Sequence, residues 1–400
     1  MTATTHSTAK LAWPIDRFVT TTAALMLLVL GWLIYIETAP FLLALFVIGT
    51  VMGIALFHGS LGFTGAWRNF VLTGKATGMR AQLLMLAVAT VLIVPLVSGV
   101  IDVGASGTSA PLGVSLVVGS FIFGFGMQLG GACGSGTLFT AGSGNTRMVI
   151  TLMFFILGAF IGSMHHMWWM NLPAAPAVIL HQSLGPWLAI IVQLAVIAFL
   201  WWFFGRREKK MTGSTGWGLT AKSDVTGIRR IISGPWPLLW AALVLAVGNM
   251  LTVIISGSPW GITFAYALWG AKVAQAVGID VAANAYWSTN FASMALSDSV
   301  LVNVNSVMAI GVLLGAMLAT GLANRFKKAC PPNLAWKSVA AAIIGGLLMG
   351  YGGRVGFGCN IGALFSGVAS ASLHAWVWFA FAFAGSYLGI KVRPMFGLPN

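Results

Sequence analysis

Two stretches of this chain can be laid one over the other: Gly124–Phe139 reads GFGMQLGGACGSGTLF and Gly350–Phe365 reads GYGGRVGFGCNIGALF. Seven of the sixteen positions are identical: Gly124/Gly350, Gly126/Gly352, Gly130/Gly356, Cys133/Cys359, Gly136/Gly362, Leu138/Leu364 and Phe139/Phe365. With 50 glycines in 400 residues, some glycine matches arise by chance. A cysteine and a Leu-Phe pair in the same register are harder to obtain that way, so the segment is read as an internal repeat.

The sequence around the repeat is that of a membrane protein. It is 58% hydrophobic and 7% charged, whereas soluble domains carry about 25% charged residues. Apolar runs of near-spanning length occur at Thr20–Ile36, Phe41–Phe57, Ala81–Ile101, Gly113–Leu129, Met148–Met164, Trp187–Phe204, Leu238–Ile255, Val304–Leu322, Val339–Gly353 and Ala375–Ile390. A helix crosses a bilayer with roughly 17–25 such residues. The fold expected is an all-α, polytopic helical bundle of about 9–10 spans, with an inverted repeat and re-entrant loops.

The net charge of +14 would suggest nucleic acid in a soluble protein, but here it has another origin. The basic residues sit at the ends of apolar runs, in groups at Arg68–Arg80, Arg206–Arg230, Arg325–Lys337 and Lys391–Arg393. Ala81–Asn145 and Met148–Gly205 hold no Lys or Arg. This is the positive-inside pattern, and it turns the loops near Asp102–Pro111 and His165–Gly185 outward. No nucleic-acid partner is implied. The N-terminus reads as an uncleaved cytoplasmic start. The division expected is a first half at 1–205, a basic cytoplasmic linker at 206–235 and a second half at 236–400. Counted from inside, the run into the first cysteine segment travels inward and the run into the second travels outward. The two copies thus point in opposite directions, as in transporters whose broken helices build a site at mid-membrane. Four glycine-containing interruptions, His58–Gly65, Gly130–Gly136, Gly257–Thr263 and Gly353–Gly362, break the apolar pattern. Irregular backbone at that depth survives where it is buried in protein or lines a cavity.

Cys133 and Cys359 are the candidate substrate contacts. A helix starting just after each would aim free N–H groups and its positive dipole end at an anion. The neighbouring Gly131, Gly134 and Gly358, with Asn360, would let backbone or amide groups approach closely, and a thiol adds a soft, weak donor. The alternative is a small buried cysteine that packs as an apolar residue. Arg354 is the only basic residue within the two segments. It reads either as an anion partner or as an interfacial residue that snorkels to headgroups. His58 reads as lining an entrance or as an interfacial residue, and His374 as interfacial. His165, His166 and His181 are placed on the outer surface. Three cysteines without paired spacing make neither a disulfide framework nor a zinc site, and Cys330 is placed in a loop. No GxSxG, HExxH or Walker motif is present, so neither an enzyme nor a cofactor is expected.

The two cysteine segments, with Ser372–Trp376 (SLHAW) after the second and Phe63–Arg68 (FTGAWR) in the first loop, resemble the YeeE/YedE sulphur-transport family of bacteria. The resemblance covers most of the chain. It implies a helical protein of the bacterial inner membrane with pseudo-twofold halves and loops that converge centrally. It also implies uptake of thiosulfate or a related small sulfur anion, handed along a path of thiols by hydrogen bonding. A small cytoplasmic sulfur-carrier protein is the partner implied. Thiosulfate members carry a further cysteine before the FTG stretch, and that position is Gly62 here. Cys133 and Cys359 carry over, and a three-thiol relay does not. The alternatives are a channel-like pore for another small solute and a membrane assembly factor that delivers sulfur to a partner.

Overall fold

A computed structural model describes residues 15–215, 225–326 and 334–400. Lys10, Lys222, Lys327, Lys328 and Cys330 lie outside the described residues. In chain order the helices are α1 (Arg17–Glu37), α2 (Pro40–Gly59), α3 (Phe63–Thr73), α4 (Thr77–Val97), α5 (Val114–Gly130), α6 (Gly134–Gly142), α7 (Thr146–Met164), α8 (His166–Met170), α9 (Leu180–Leu184) and α10 (Pro186–Thr212). They continue as α11 (Gly227–Ser233), α12 (Leu238–Ser256), α13 (Thr263–Ala276), α14 (Asn290–Ser297), α15 (Val304–Leu322), α16 (Trp336–Val355), α17 (Ser366–Ala369) and α18 (His374–Val392). Among the described residues, ten helices or broken helices are long and apolar enough to cross a membrane. They correspond to the ten apolar runs.

Each of the four interruptions appears as a break between a long helix and a shorter one. α5 stops at Gly131 and α12 at Gly257, both in the left-handed region (φ +94° and +73°) that glycine reaches without a Cβ clash. α2 stops at Ser60 and α16 at Gly356. Where α5 ends, its last carbonyls have lost their intrahelical donors. Arg147 donates to Leu129 O and Gly130 O, each at 2.6 Å, and Arg393 donates to Gln128 O at 2.6 Å. Two guanidinium groups thus complete the broken end. At α16 the Ser115 hydroxyl does the same for Val355 O, at 2.7 Å.

The packing has an internal symmetry. α5 packs on α16 and α18, α7 on α16 and α13, α2 on α15, and α4 on α12. Exchange α1 with α10, α2 with α12, α3 with α13, α4 with α15, α5 with α16, α6 with α17 and α7 with α18, and the pattern returns to itself. α5–α18 then corresponds to α16–α7, α2–α15 to α12–α4, α6–α15 to α17–α4, and α1–α15 to α10–α4. At the centre α5 crosses its own counterpart, α16, almost backbone to backbone. A Cβ on Gly352 would lie 2.6 Å from Phe123 N, and one on Gly356 would lie 2.7 Å from Ser120 N. Small residues allow this approach, and close packing is what drives helix association where lipid tails remove the hydrophobic incentive.

The basic stretch expected as a linker from residue 206 begins as helix. α10 runs through Arg206 and Lys210 to Thr212 and closes on Gly213 at φ +77°. It is held there by Glu208, which is buried, pairs with Arg80 and accepts from Ala76 N at 3.1 Å.

Two outcomes follow from this packing. Gly345 faces α5, and a Cβ there would lie 2.8 Å from Gly126 O. Gly345→Leu is expected to destabilise the bundle by at least the about 1–3 kcal/mol of ordinary overpacking. Ile344→Leu, at a neighbouring residue that is 39% exposed, should leave the protein unchanged. Size-exclusion profiles and melting in detergent compare the two, and equal melting would show that the glycine contact is dispensable. Glu208→Leu removes the carboxylate from a buried Arg80 and should cost about 3–5 kcal/mol, read in the same melting experiment.

Candidate functional site where two cysteine loops meet

Both cysteines stand directly before a new helical segment. Cys133, extended at φ −86°, is the N-cap of α6. Cys359, extended at φ −106°, is the N-cap of a wide helical turn, Asn360–Phe365, that runs on into α17. The chain reaches Cys359 through Phe357 (φ +64°) and Gly358 (φ +148°). A phenylalanine in the left-handed region costs of order 1–3 kcal/mol and persists only where its surroundings impose it.

The turn through Phe357 and Gly358 brings the two loops together. A Cβ on Gly134 would lie 2.9 Å from Cys359 Sγ and 3.1 Å from Cys359 Cβ. The Cys359 thiol therefore rests on the backbone of the residue next to Cys133. Both thiols are free and buried, 1% exposed at Cys133 and 0% at Cys359. Ile361 N donates to Cys359 Sγ at 3.4 Å. Cys133 Sγ lies 3.7 Å from Ser135 Oγ and faces the backbone amides of Gly136 and Phe63. Phe63 opens α3, so the first break also reaches this point. The third break reaches it as well, because a Cβ on Gly362 would lie 3.9 Å from Gly261 Cα. From α13, the Tyr266 hydroxyl donates to Gly134 O at 2.9 Å. All four interruptions thus converge on one buried centre.

Among the described residues, several buried polar atoms on the segments that meet here, and on α18 after them, have no partner. They are both side-chain atoms of Asn360, the indole nitrogens of Trp260 and Trp378, and His374 Nε2. Buried polar groups are nearly always hydrogen-bonded, so exceptions need a reason. Asn249 and Ser366 bind the Trp260 backbone instead: Trp260 N donates to Asn249 Oδ1 at 2.8 Å, and Ser366 Oγ donates to Trp260 O at 2.7 Å. The side chain of Trp260 is left without a hydrogen-bonding partner.

The nine residues singled out from the sequence do not all meet. Cys133, Cys359, Gly131, Gly134, Gly358 and Asn360 belong to the two central loops. Gly62 is the N-cap of α3 and lines a cavity of about 350 Å³ together with Ser60, Asn69, Lys75, Thr77 and Gln82. A Cβ on Gly62 would meet nothing within 4 Å. His58 is buried at the end of α2 against Phe57, Trp236 and Gly234, rather than beside a thiol. Arg354, half-buried in the last turn of α16, packs over the rings of Tyr286 (4.3 Å to the centroid) and Phe264 (6.0 Å). His374 is fully buried rather than interfacial: its Nδ1 lies 2.7 Å from Ser372 Oγ, and its ring packs against Gly367. Sequence reasoning missed Phe63, Trp260, Tyr266 and Trp378. A tyrosine inside the apolar run that follows a glycine break, GITFAYALW, was the available signal for Tyr266.

The family model described as sulphur transport matches residues 58–388. The chain is 27% identical over 362 residues to the thiosulfate transporter TsuA of Spirochaeta thermophila, covering 85% of this chain and 95% of that protein. It is 23% identical over 356 residues to the thiosulfate transporter TsuA of Escherichia coli, covering 86% of this chain and 94% of that one. To the probable transporter YedE of Escherichia coli it is 34% identical over 167 residues, 40% of each chain. The match spans all four helix breaks and both thiols, and with the ten apolar helices it makes this chain a multi-pass membrane protein of the sulphur transport family.

Proposed function

We propose that this protein carries thiosulfate across the bacterial inner membrane, along a central path on which Cys133 and Cys359 touch the anion. The observation that supports this most directly is the seat of Cys359 Sγ against Gly134, which puts two thiol loops and two helix starts at one buried point. An anion there meets backbone N–H groups and the positive ends of helix dipoles. Thiols are neutral donors: they hydrogen-bond an anion without holding it as an ion pair would. Thiosulfate spreads its charge over a soft terminal sulfur and gives up water more readily than sulfate does. The unpartnered amide of Asn360 supplies a further donor. The names of the two TsuA relatives, which align over most of the chain, support thiosulfate as the substrate. The reading is transport rather than catalysis.

The symmetry of the packing supports two inverted halves of five crossing segments each. An odd number of crossings is what turns one half upside down relative to the other. The correspondence of α10 with α1 supports a boundary between Met164 and Pro186, whereas the charge pattern suggested residue 205. Arg393 lies close enough to Arg68 and Arg147 to sense their charge, and we assign this face to the cytoplasm. The cavity beside Gly62 and Lys75 is then the exit, separated from Cys133 by the backbone at Phe63. A sulfur-carrier partner would meet this face.

Radiolabelled thiosulfate uptake into proteoliposomes tests the reading. Cys133→Ala with Cys359→Ala should abolish uptake while the protein stays folded, and full uptake by that double variant would end the thiol path. Gly134→Ala should lower uptake about tenfold or more with little loss of protein, because the added methyl displaces the Cys359 thiol by a few tenths of an ångström or more. Gly134→Ala that transports at the parental rate would show that the seat of Cys359 has no bearing on passage.

A further inference from the structure

The environment of Arg354 differs from that of Arg80, Arg147 and Arg393. Arg80 is paired with Glu208, and Arg147 and Arg393 donate to backbone carbonyls. Arg354 has neither kind of partner: among the described residues no carboxylate pairs with it, and its Nε is buried without an acceptor. It packs over the ring faces of Tyr286 and Phe264, and the Tyr286 side chain is also within hydrogen-bonding reach of the guanidinium. Ring faces steady a guanidinium without using its N–H groups.

A second unpartnered group stands beside it. His166 packs edge-on against Tyr286, with centroids 5.1 Å apart, and its Nδ1 is buried without a partner. Burial, and then the Arg354 charge, lower the pKa of His166 to about 3. The ring is neutral at physiological pH, so Arg354 supplies the charge and His166 a hydrogen-bonding nitrogen. Tyr286 is fixed from both sides in sequence. Asn284 Nδ2 donates to Met164 O and Trp287 Nε1 to Ser163 Oγ, each at 2.9 Å, and these two bonds tie the segment to the end of α7. The cluster is therefore built in advance from α8, α16 and the segment before α14.

Its position connects it to the thiols. α16 begins near Arg147, which bonds Ser338, and ends beside the first turn of α5, on the face opposite the basic one. His166 also touches Phe357 (6.4 Å between centroids), which lies two residues before Cys359.

We infer that Arg354, His166 and Tyr286 form a receiving site for a small, multiply charged oxyanion on the face opposite the cytoplasmic cluster, one step before Cys359. Arg354 binds the anion, His166 hydrogen-bonds it, and Tyr286 positions the guanidinium. This rests on the transport reading for its substrate, thiosulfate. A phospholipid phosphate offers the same chemistry, and the test separates the two.

Equilibrium binding of radiolabelled thiosulfate is measured on the full-length protein in a detergent free of phospholipid. Binding should persist in the Cys133→Ala, Cys359→Ala double variant. Arg354→Gln should weaken it about tenfold or more, the loss of one charge-assisted hydrogen bond. Arg354→Lys, which keeps the charge and guards against misfolding, should fall between. In proteoliposomes Arg354→Gln should raise the half-saturating concentration more than it lowers the maximal rate. Unchanged binding in folded Arg354→Gln would overturn the inference, as would loss of binding in the double cysteine variant. Stoichiometric displacement by a soluble short-chain phosphatidylglycerol would assign the site to a lipid headgroup and overturn it too. Failure of the wild-type protein to take up thiosulfate would sink the transport reading instead, a result distinct from either.

Discussion

A polypeptide inside a bilayer must satisfy its backbone hydrogen bonds within the protein, because the hydrocarbon offers no partners. This chain breaks its helices four times, and the rest of the structure accommodates those breaks. Arg147 and Arg393 complete the open end of α5, and Ser115 completes the end of α16. The glycine-lined crossing of α5 and α16 brings the two most important breaks within contact of each other. The outer helices α1 and α10 then seal the bundle against lipid through α15 and α4.

The same constraint makes the broken ends useful. Backbone N–H groups freed at the start of a helix are donors that no helical neighbour satisfies, and an anion can satisfy them. At the centre the thiols share these donors: Ile361 N donates to Cys359 Sγ, and the amides of Gly136 and Phe63 face Cys133 Sγ. Burial is nearly complete there, so any charge entering must be matched by donors already in place. On the proposed path, thiols and amides would serve without adding a fixed charge that would trap a dianion. Arg354 and Arg147 mark opposite ends of α16, and Arg393 joins Arg147 at the broken end of α5.

The two halves share a backbone plan and differ in chemistry. The repeat pairs Gln128 with Arg354, and Gly134 with Asn360. α3 and α4 are joined by a short turn, whereas α13 and α15 are separated by a long segment that carries Tyr286 and α14. A symmetric bundle would offer the anion the same surface on either side. The departures from symmetry make one face a single arginine framed by aromatic rings and the other a basic rim beside an open cavity at Gly62.

Much of this was legible in the residues. The ten apolar runs, the grouped basic residues and the repeat around Cys133 and Cys359 determined the membrane bundle and the places where its helices break. These are local properties: apolar length, charge next to it, and glycine in a register. The tertiary structure decided which breaks meet. No spacing in the sequence places Cys359 on Gly134, turns His58 away toward Trp236, or carries α10 past Gly205 to pair Glu208 with Arg80. Those depend on which helix faces come within contact, which is set by the volume of side chains far apart in the chain. Arg354 shows the division most clearly: its charge could be read from the sequence, but only the folded chain shows that its neighbours are ring faces and that none of them is a counter-charge.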